Sequence, residues 1–195
     1  VAGAPLHLRA ELARAIEAGR RGGVPVVIND HWRLALELGA TALHLGQEDL
    51  LALDADDHRT LAQARAAGVS LGLSSHSLWE LCRARAMEPE LIACGPVWPT
   101  ATKAMPWRPQ GLDNLAWWAH MAGTPVVGIG GVLTHDQLAQ VARSGAALGC
   151  VVRGLGDDPA SGLAEWSAAW TQGRQAPPLP VPALPHATLG QNPPA

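Results

Sequence analysis

Two aspartates follow neighbouring apolar runs of the chain. Asp30 comes after Val24–Ile28 and Asn29, and Asp49 comes after Ala42–Leu45. If both runs are adjacent parallel strands, about 4.8 Å apart, the two carboxylates lie close together and repel each other unless a cation separates them. Magnesium suits this position because it takes few carboxylates and completes its shell with water and phosphate oxygens. For each aspartate alone a helix cap is the simpler interpretation, so the magnesium prediction rests on the pair.

Hydroxyl groups and one lysine form a second set of candidate ligands. Ser74 and Ser75 follow the apolar run that ends at Leu73, and the loop after Leu91–Cys94 carries Thr100, Thr102 and Lys103, the only lysine in the chain. A hydroxyl ahead of a helix either caps it or holds a phosphate oxygen, and capping is expected for Ser77. A lysine offers a compact ammonium suited to phosphate. These residues therefore predict phosphate contacts, and an ordinary surface turn is the alternative.

Glycines close two later apolar runs. Gly128-Ile129-Gly130-Gly131 follows one of them, and Val152-Arg153-Gly154 follows the last. Glycine lets the backbone approach a phosphate closely, although it also serves tight turns. In eight-stranded α/β barrels the loops after the seventh and eighth strands often bind phosphate. These two segments would be the loops after the seventh and eighth strands if the chain lacked the first two strands of a barrel.

The apolar runs that position these residues alternate with helical patterns. Runs that are apolar throughout are typical of buried parallel strands, and their alternation with helices indicates repeated βαβ units. We count six such runs and predict an α/β fold, a TIM (β/α)8 barrel that lacks its first two strands, with an open doubly wound sheet as the alternative. We expect a barrel domain over residues 1–171 and a flexible proline-rich tail over residues 172–195, with an ordered strap as the alternative for the tail.

Composition excludes several classes of protein. Hydrophobic residues make up 48% and charged residues 16%, which excludes a disordered chain, and the net charge of −3 gives no reason to expect nucleic acid. No apolar run is long enough to cross a bilayer. The three cysteines form no zinc pattern and no disulfide framework, so we expect a cytoplasmic protein. A homo-oligomer is left open.

The segments above resemble the thiamine phosphate synthase family when taken together and in order. The resemblance covers about Val24–Leu155 and is carried by these segments: Val27-Ile-Asn-Asp30, His44-Leu-Gly-Gln-Glu-Asp49, Gly72-Leu-Ser-Ser-His76, Gly95-Pro-Val-Trp-Pro-Thr-Ala-Thr-Lys103, Gln110-Gly111 and Gly128-Ile-Gly-Gly131. It implies a TIM barrel that joins an aminopyrimidine diphosphate to a thiazole phosphate and releases diphosphate. The family route is dissociative, so the diphosphate leaves before the thiazole nitrogen attacks.

The resemblance also implies a role for each candidate residue. Asp30 and Asp49 would hold Mg²⁺. The pyrimidine diphosphate would be contacted by Asn29, Ser74 or Ser75, and Lys103, with Lys103 and Ser74 as the catalytic residues. Magnesium and Lys103 would stabilise the departing charge. The thiazole phosphate would be held by Thr100, Thr102, Gly131 and the backbone of Val152 and Arg153.

Two features depart from the family pattern. The family carries a Gln-Leu-Arg-x-Lys motif on an earlier strand, whereas this chain has only His7-Leu-Arg9, without the lysine. Arg153 stands where the family usually has serine. A related thiazole tautomerase and a non-catalytic, degenerate barrel that serves as a partner subunit are the alternatives. His44 is interpreted as a core histidine, and Trp98 and Trp107 flank the lysine loop, where they could cover an aromatic substrate.

Overall fold

The computed structural model describes residues 6–101, 107–158, 160 and 162–188. Contacts between residues divide the chain into two compact units, Val1–Leu73 and Ser74–Ala195. In the described part, six strands alternate with helices. The strands are β1 (Ile28–Asn29), β2 (Ala42–Leu45), β3 (Ser70–Ser75), β4 (Leu91–Cys94), β5 (Val126–Ile129) and β6 (Leu148–Cys150). The helices are α1 (Leu6–Gly22), α2 (Trp32–Glu37), α3 (Gln47–Ala52), α4 (Ala55–Ala66), α5 (Leu78–Ala86), α6 (Gly111–Met121), α7 (His135–Arg143) and α8 (Leu163–Gln175). The expected α/β fold with six parallel strands is confirmed.

The first unit is built on parallel pairing of β1 with β2 and of β2 with β3. Asn29 pairs with His44, and Leu45 pairs with Leu73. Strand β1 has only two residues. Ile28 in this strand is buried, whereas Val24 and Val27, which precede it, are 63% and 48% exposed. The predicted strand Val24–Ile28 is therefore wrong in its extent, although its carboxyl end falls where predicted.

The second unit contains the parallel strands β4, β5 and β6. Ile92 pairs with Val126, and Val127 pairs with Leu148. Helices α6 and α7 pack closely on β5 at Gly128. A Cβ atom on Gly128 would come within 2.7 Å of a methyl group of Val141 in α7. This close packing fixes the ends of β4 and β5, and those ends carry the candidate phosphate loops.

Side-chain caps start several of the helices. Asp54 accepts hydrogen bonds from the backbone N–H groups of Asp56 and Asp57 at the start of α4, and Thr134 caps α7. The Ser77 hydroxyl accepts from the Glu80 N–H group at the start of α5, which confirms the capping role expected for Ser77. Such caps satisfy backbone donors that the first turn leaves unpaired.

The amino-terminal segment of the described residues is helical. His7-Leu-Arg9 lies inside α1, and the Arg9 guanidinium forms an ion pair with Glu37. Arg9 is therefore carried by a helix and pairs with a side chain of α2. Among the described residues, no helix is long and apolar enough to span a membrane.

The segment after α8 has no helix or strand through residue 188, yet it makes specific contacts. The Leu179 N–H group donates to the Arg143 carbonyl at 3.0 Å, and Arg143 Nε donates back to the Pro177 carbonyl at 3.0 Å. Thr188, near the end of the described part, is only 4% exposed. The expected domain over residues 1–171 and the expected flexibility of residues 172–195 stay predictions.

Candidate functional site

Asp30 occupies an unusual backbone conformation at the end of β1. Its φ angle is +65°, in the left-handed region that non-glycine residues seldom adopt, although aspartate tolerates it better than most. The Asp30 N–H group points back to the His44 carbonyl on β2, at 3.4 Å. Both Asn29 and Asp30 are exposed. A strained residue at a strand end is typical of functional sites, where the surrounding structure keeps the strain in place.

Asp49 lies in the first turn of α3, a helix that the sequence analysis did not predict. Its Oδ2 atom accepts a hydrogen bond from the Gly46 N–H group at 3.0 Å, so the helix-capping alternative is correct for this residue. A carboxylate has about four acceptor positions on two oxygens. The cap therefore orients the Asp49 carboxylate without using up its capacity to contact a cation.

His44 connects the two carboxylates electrostatically. Burial lowers the pKa of this imidazole, and the negative charges of Asp30 and Asp49 both act in the opposite direction, raising it. Both carboxylates are thus close enough to act on one ring. We call Asn29, Asp30, His44 and Asp49 the acidic cluster. The interpretation of His44 as a core histidine stays a prediction, and its pairing with Asn29 places it in β2 beside the end of β1.

The donors of the acidic cluster are mainly carboxylate and amide oxygens. Within residues 6–101, 107–158, 160 and 162–188, no group of three or more His, Cys, Asp or Glu side chains is arranged to hold a metal ion. Magnesium is commonly held by only one or two carboxylates, with water and substrate phosphates completing its shell. Asp30 and Asp49 offer oxygens of this kind, and their assignment to magnesium stays a prediction.

In the second unit, the serine segment distinguishes its two candidate residues. Ser75 is completely buried, and its hydroxyl donates to the Ser77 carbonyl at 3.3 Å. Ser74 is half-buried. The next residue, His76, is fixed by Glu80, whose Oε2 atom accepts from the His76 N–H group at 2.7 Å and lies 2.8 Å from its Nδ1 atom. Ser74 is therefore the serine of this segment that is accessible to a substrate.

The loop after β4 is locked to the end of β5. Val97 and Trp98 donate their N–H groups to the carbonyls of Ile129 and Gly130, at 2.9 and 3.1 Å. Gly131 has a φ angle of +75°, and a Cβ atom there would lie 2.7 Å from the Trp98 carbonyl oxygen. Only glycine fits this contact, so the two segments that were predicted to bind one phosphate are brought together by their backbones.

Three other candidates extend from these segments. Thr100 is half-buried in the loop after β4, whereas Thr102 and Lys103 lie outside the described residues. Val152 and Arg153 follow β6 and are exposed, and a single turn of 3₁₀ helix spans Arg153–Leu155. Arg153 therefore presents its guanidinium at the surface, beyond the end of the strand.

Gln110 is a structural residue of the second unit that the sequence analysis left without a role. Its side chain is fully buried and donates to the His76 carbonyl at 2.6 Å, while its N–H group donates to the Pro96 carbonyl at 2.7 Å. It thereby joins the serine segment to the loop after β4. Trp107 lies beside this contact, with its ring stacked on His76 at a centroid distance of 6.0 Å. That stacking ties Trp107 to His76, two positions after Ser74 in the chain.

Comparison with known proteins gives a consistent result. Residues 5–155 match the family model described as thiamine monophosphate synthase. The chain is 43% identical to the thiamine-phosphate synthase of Rhizobium etli, over 83% of this chain and 78% of that protein, and 46% identical to that of Neisseria meningitidis serogroup A, over 74% and 68%. Its fold resembles thiamine phosphate pyrophosphorylase from Pyrococcus furiosus, with a TM-score of 0.70 at 23% identity, covering 89% of this chain and 81% of that one.

Proposed function

This chain belongs to the thiamine monophosphate synthase family, and from that membership we propose how its residues divide the work of the reaction. Its function is thiamine-phosphate synthesis, and it is accordingly a transferase. We propose that the substrates are an aminopyrimidine diphosphate and a thiazole phosphate. The bond between the pyrimidine methylene carbon and the diphosphate oxygen breaks with its electron pair going to diphosphate. The thiazole nitrogen then donates its lone pair to the methylene carbon and forms the new C–N bond.

The acidic cluster is proposed to bind the diphosphate end of the pyrimidine substrate together with Mg²⁺. Asp30 and Asp49 would hold the ion, and Asn29, beside them, would donate its amide to the substrate. When bound, Mg²⁺ neutralises charge on the diphosphate oxygens. The observation that supports this assignment is that Asp30 directly follows β1, and Asp49 lies in the first turn of α3 just after β2, the strand that pairs with β1.

The departing diphosphate also requires cations and hydroxyl donors from the protein. Lys103 is proposed to place its ammonium against the diphosphate oxygens, and Ser74 to donate its hydroxyl to them. Such donors accelerate a dissociative step because the negative charge on the leaving group increases as the bond breaks. Ser75, being buried and bonded to the Ser77 carbonyl, is assigned to the shape of the segment instead.

The thiazole phosphate is proposed to bind at the locked contact between the loop after β4 and Gly131. Backbone N–H groups near Gly131 and the hydroxyls of Thr100 and Thr102 are the donors assigned to it. The backbone of Val152 and Arg153 would complete the site. Because Val152 and Arg153 are exposed, the change from the family's serine to Arg153 is accommodated without a cost in packing and adds a cation that can attract phosphate.

The magnesium assignment is tested by titrating Mg²⁺ calorimetrically into the protein in the presence of inorganic diphosphate. We expect Asp30→Asn and Asp49→Asn each to weaken Mg²⁺ binding at least tenfold, because each removes a charge from a two-carboxylate site. Asp56→Asn is the matched control, since Asp56 is an exposed aspartate of α4 that forms an ion pair with Arg59. Unchanged binding in both cluster variants would show that Mg²⁺ lies elsewhere.

We also propose that the six strands belong to an eight-stranded TIM barrel whose first two strands are not among the residues of this chain. The similarity to the Pyrococcus furiosus enzyme supports the barrel. Within the described part, β1 pairs with β2 alone and β6 pairs with β5 alone. A chain extended by two amino-terminal strands should then melt at a higher temperature, and equal melting would count against the missing strands. A cytoplasmic location stays an expectation from the cysteine pattern.

A further inference from the structure

The part of the chain beyond the family match reaches back to the serine segment. The family model ends at residue 155, whereas residues 177–188, which we call the C-terminal strap, follow α8. The strap is tied to the end of α7 through Pro177 and Leu179. It is tied again at the start of α6, where Asn114 exchanges two hydrogen bonds with the backbone of His186, at 2.8 and 3.0 Å. Both attachments lie in the second unit.

Thr188 joins two segments that flank the proposed substrate contacts. Its hydroxyl donates to the His76 carbonyl at 2.7 Å, two residues after Ser74. Its carbonyl accepts from the Arg108 N–H group at 2.9 Å, next to Trp107. Thr188 is only 4% exposed and makes both bonds away from water. The His76 carbonyl and the Arg108 N–H group can therefore bond to water in its place only if the strap moves.

The two segments that Thr188 joins are already in contact through other groups. The Trp107 ring stacks on the His76 ring with an interplanar angle of 8°, and Gln110 donates to the same His76 carbonyl that accepts from Thr188. The His76 carbonyl thus accepts two side-chain hydrogen bonds, one from Gln110, just before α6, and one from the strap. A carbonyl held by two donors is fixed in direction, and this fixes the backbone that leaves Ser74.

We propose that Thr188 is a positioning residue of the synthase site, holding the Ser74–His76 segment against the Trp107–Gln110 segment. This role rests on the proposed function, since Ser74 is assigned there to the diphosphate. Thr188 touches no substrate. It acts through the His76 carbonyl and the Arg108 N–H group, and it provides an attachment that the residues of the family match do not contain.

The single lysine provides a direct measure of this attachment. A lysine-specific endoproteinase can cut this chain only after Lys103, four positions before Trp107. Binding of the protease extends several residues past the cut, as far as Trp107 and Arg108, whose contacts with His76 and Thr188 must open for cleavage, so the rate in the folded protein reports local opening. The readout does not depend on catalysis, and it therefore separates failure of the strap from failure of the proposed function.

The decisive variant is Thr188→Val, which keeps the shape and removes the hydroxyl. Because Gln110 still satisfies the His76 carbonyl, no acceptor is left unpaired, and the expected effect is that of one ordinary hydrogen bond, about fivefold faster cleavage at Lys103. Thr188→Ser should restore the original rate. Thr124→Val is the matched control, because the Thr124 hydroxyl also donates to a backbone carbonyl, that of Pro89 at 2.9 Å.

His186→Ala gives a second, milder test that leaves the buried threonine in place. The His186 ring lies 3.0 Å from Asp113 Oδ2 and is largely exposed, so its removal should not affect folding. We expect cleavage at Lys103 to be faster in this variant too, by about twofold. If Thr188→Val and His186→Ala are cleaved at the original rate, or no faster than Thr124→Val, the strap does not hold these segments and the proposal is wrong.

Steady-state kinetics then connect the attachment to the site. Thr188→Val should raise KM for the pyrimidine diphosphate about fivefold, and Thr188→Ser should restore it. An unchanged KM together with faster cleavage would show that Thr188 has only a structural role and would overturn its assignment to the site. If none of the proteins formed thiamine phosphate, even when extended by the two amino-terminal strands, while the cleavage rates behaved as expected, the proposed function would fail and the attachment would stand.

Discussion

Replacing Gly131 with alanine is expected to disrupt the contact on which the proposed thiazole phosphate site depends. At this position two separate costs arise. The backbone has a φ angle of +75°, which an alanine adopts only with strain, and the added Cβ atom would lie 2.6 Å from Trp98 Cβ and 2.7 Å from the Trp98 carbonyl oxygen. The neighbours are backbone or next to it, so no flexible side-chain end can move away to relieve the overlap.

The two costs can be estimated separately because the chain offers a matched control. Gly39 has a φ angle of +76°, and a Cβ atom there would meet nothing within 4 Å. Gly39→Ala should therefore cost only the backbone strain, about 1–2 kcal/mol. Gly131→Ala adds the overlap with Trp98, about 1–3 kcal/mol by analogy with overpacked cores. The total for Gly131→Ala is then about 2–5 kcal/mol, and the difference between the two variants isolates the contact with Trp98.

Urea unfolding of the two variants and the unmodified chain measures these quantities as changes in the free energy of unfolding. The same variants should differ in catalysis, because Gly131→Ala displaces the backbone assigned to the thiazole phosphate and should raise its KM at least tenfold, whereas Gly39→Ala should not. If Gly131→Ala were no less stable than Gly39→Ala, the Trp98 segment would yield to an added methyl group, and the argument for a rigid, preformed phosphate site would be refuted.

Two further predictions concern Lys103 and the buried cysteine. Lys103→Arg should lower turnover although the charge is kept, because a planar guanidinium does not replace a compact ammonium at a tight phosphate contact; near-unmodified turnover would make Lys103 an ordinary surface cation. Burial raises the pKa of Cys94 well above its ordinary value of 9.0. Above about pH 9 the folded chain therefore keeps the proton of the Cys94 thiol, whereas the unfolded chain loses it. The free energy of unfolding should consequently fall as the pH rises past about 9. Unfolding measured between pH 8 and 10 should show a shallower fall in Cys94→Ala than in Cys82→Ala, whose cysteine is exposed, and equal slopes would contradict the assignment.

The sequence predicted the strands wherever burial on both faces made the run continuously apolar. Ile92 and Cys94 in β4 are fully buried, and such runs need no alternation to be recognised. The first run failed because Val24 and Val27 are apolar but exposed, and composition alone does not reveal which residues have a partner strand. Helix α3 was missed for a different reason. Its N-cap is Gly46, which has no side chain to signal a helix start, and the cap comes from Asp49 three residues later.

Candidate ligands can be recognised from the sequence where one residue type carries the chemistry, whereas contacts that depend on the arrangement cannot. Aspartates and a lysine after apolar runs are visible in the sequence, but the bonds of Gln110 to the His76 and Pro96 carbonyls are not. A glutamine between two loops carries no mark of its partners. The contacts of Thr188 are equally invisible, because a proline-rich segment without periodicity does not indicate where in the fold it is attached.

The two proposed phosphate sites are prepared by different physical means. At the glycine contact, backbone hydrogen bonds from Val97 and Trp98 and the absence of a Cβ atom on Gly131 fix the geometry before any ligand arrives, so binding there costs little reorganisation. In the acidic cluster, Asp30 and Asp49 repel an anion until a cation is present, and the positive φ angle of Asp30 keeps one carboxylate in place at some cost in strain. The diphosphate therefore depends on a cation at the acidic cluster, while the monophosphate depends on a backbone shape. One synthase can in this way distinguish two substrates that both carry phosphate. A phosphate group bound at the glycine contact gains no binding free energy from the carboxylates of the acidic cluster.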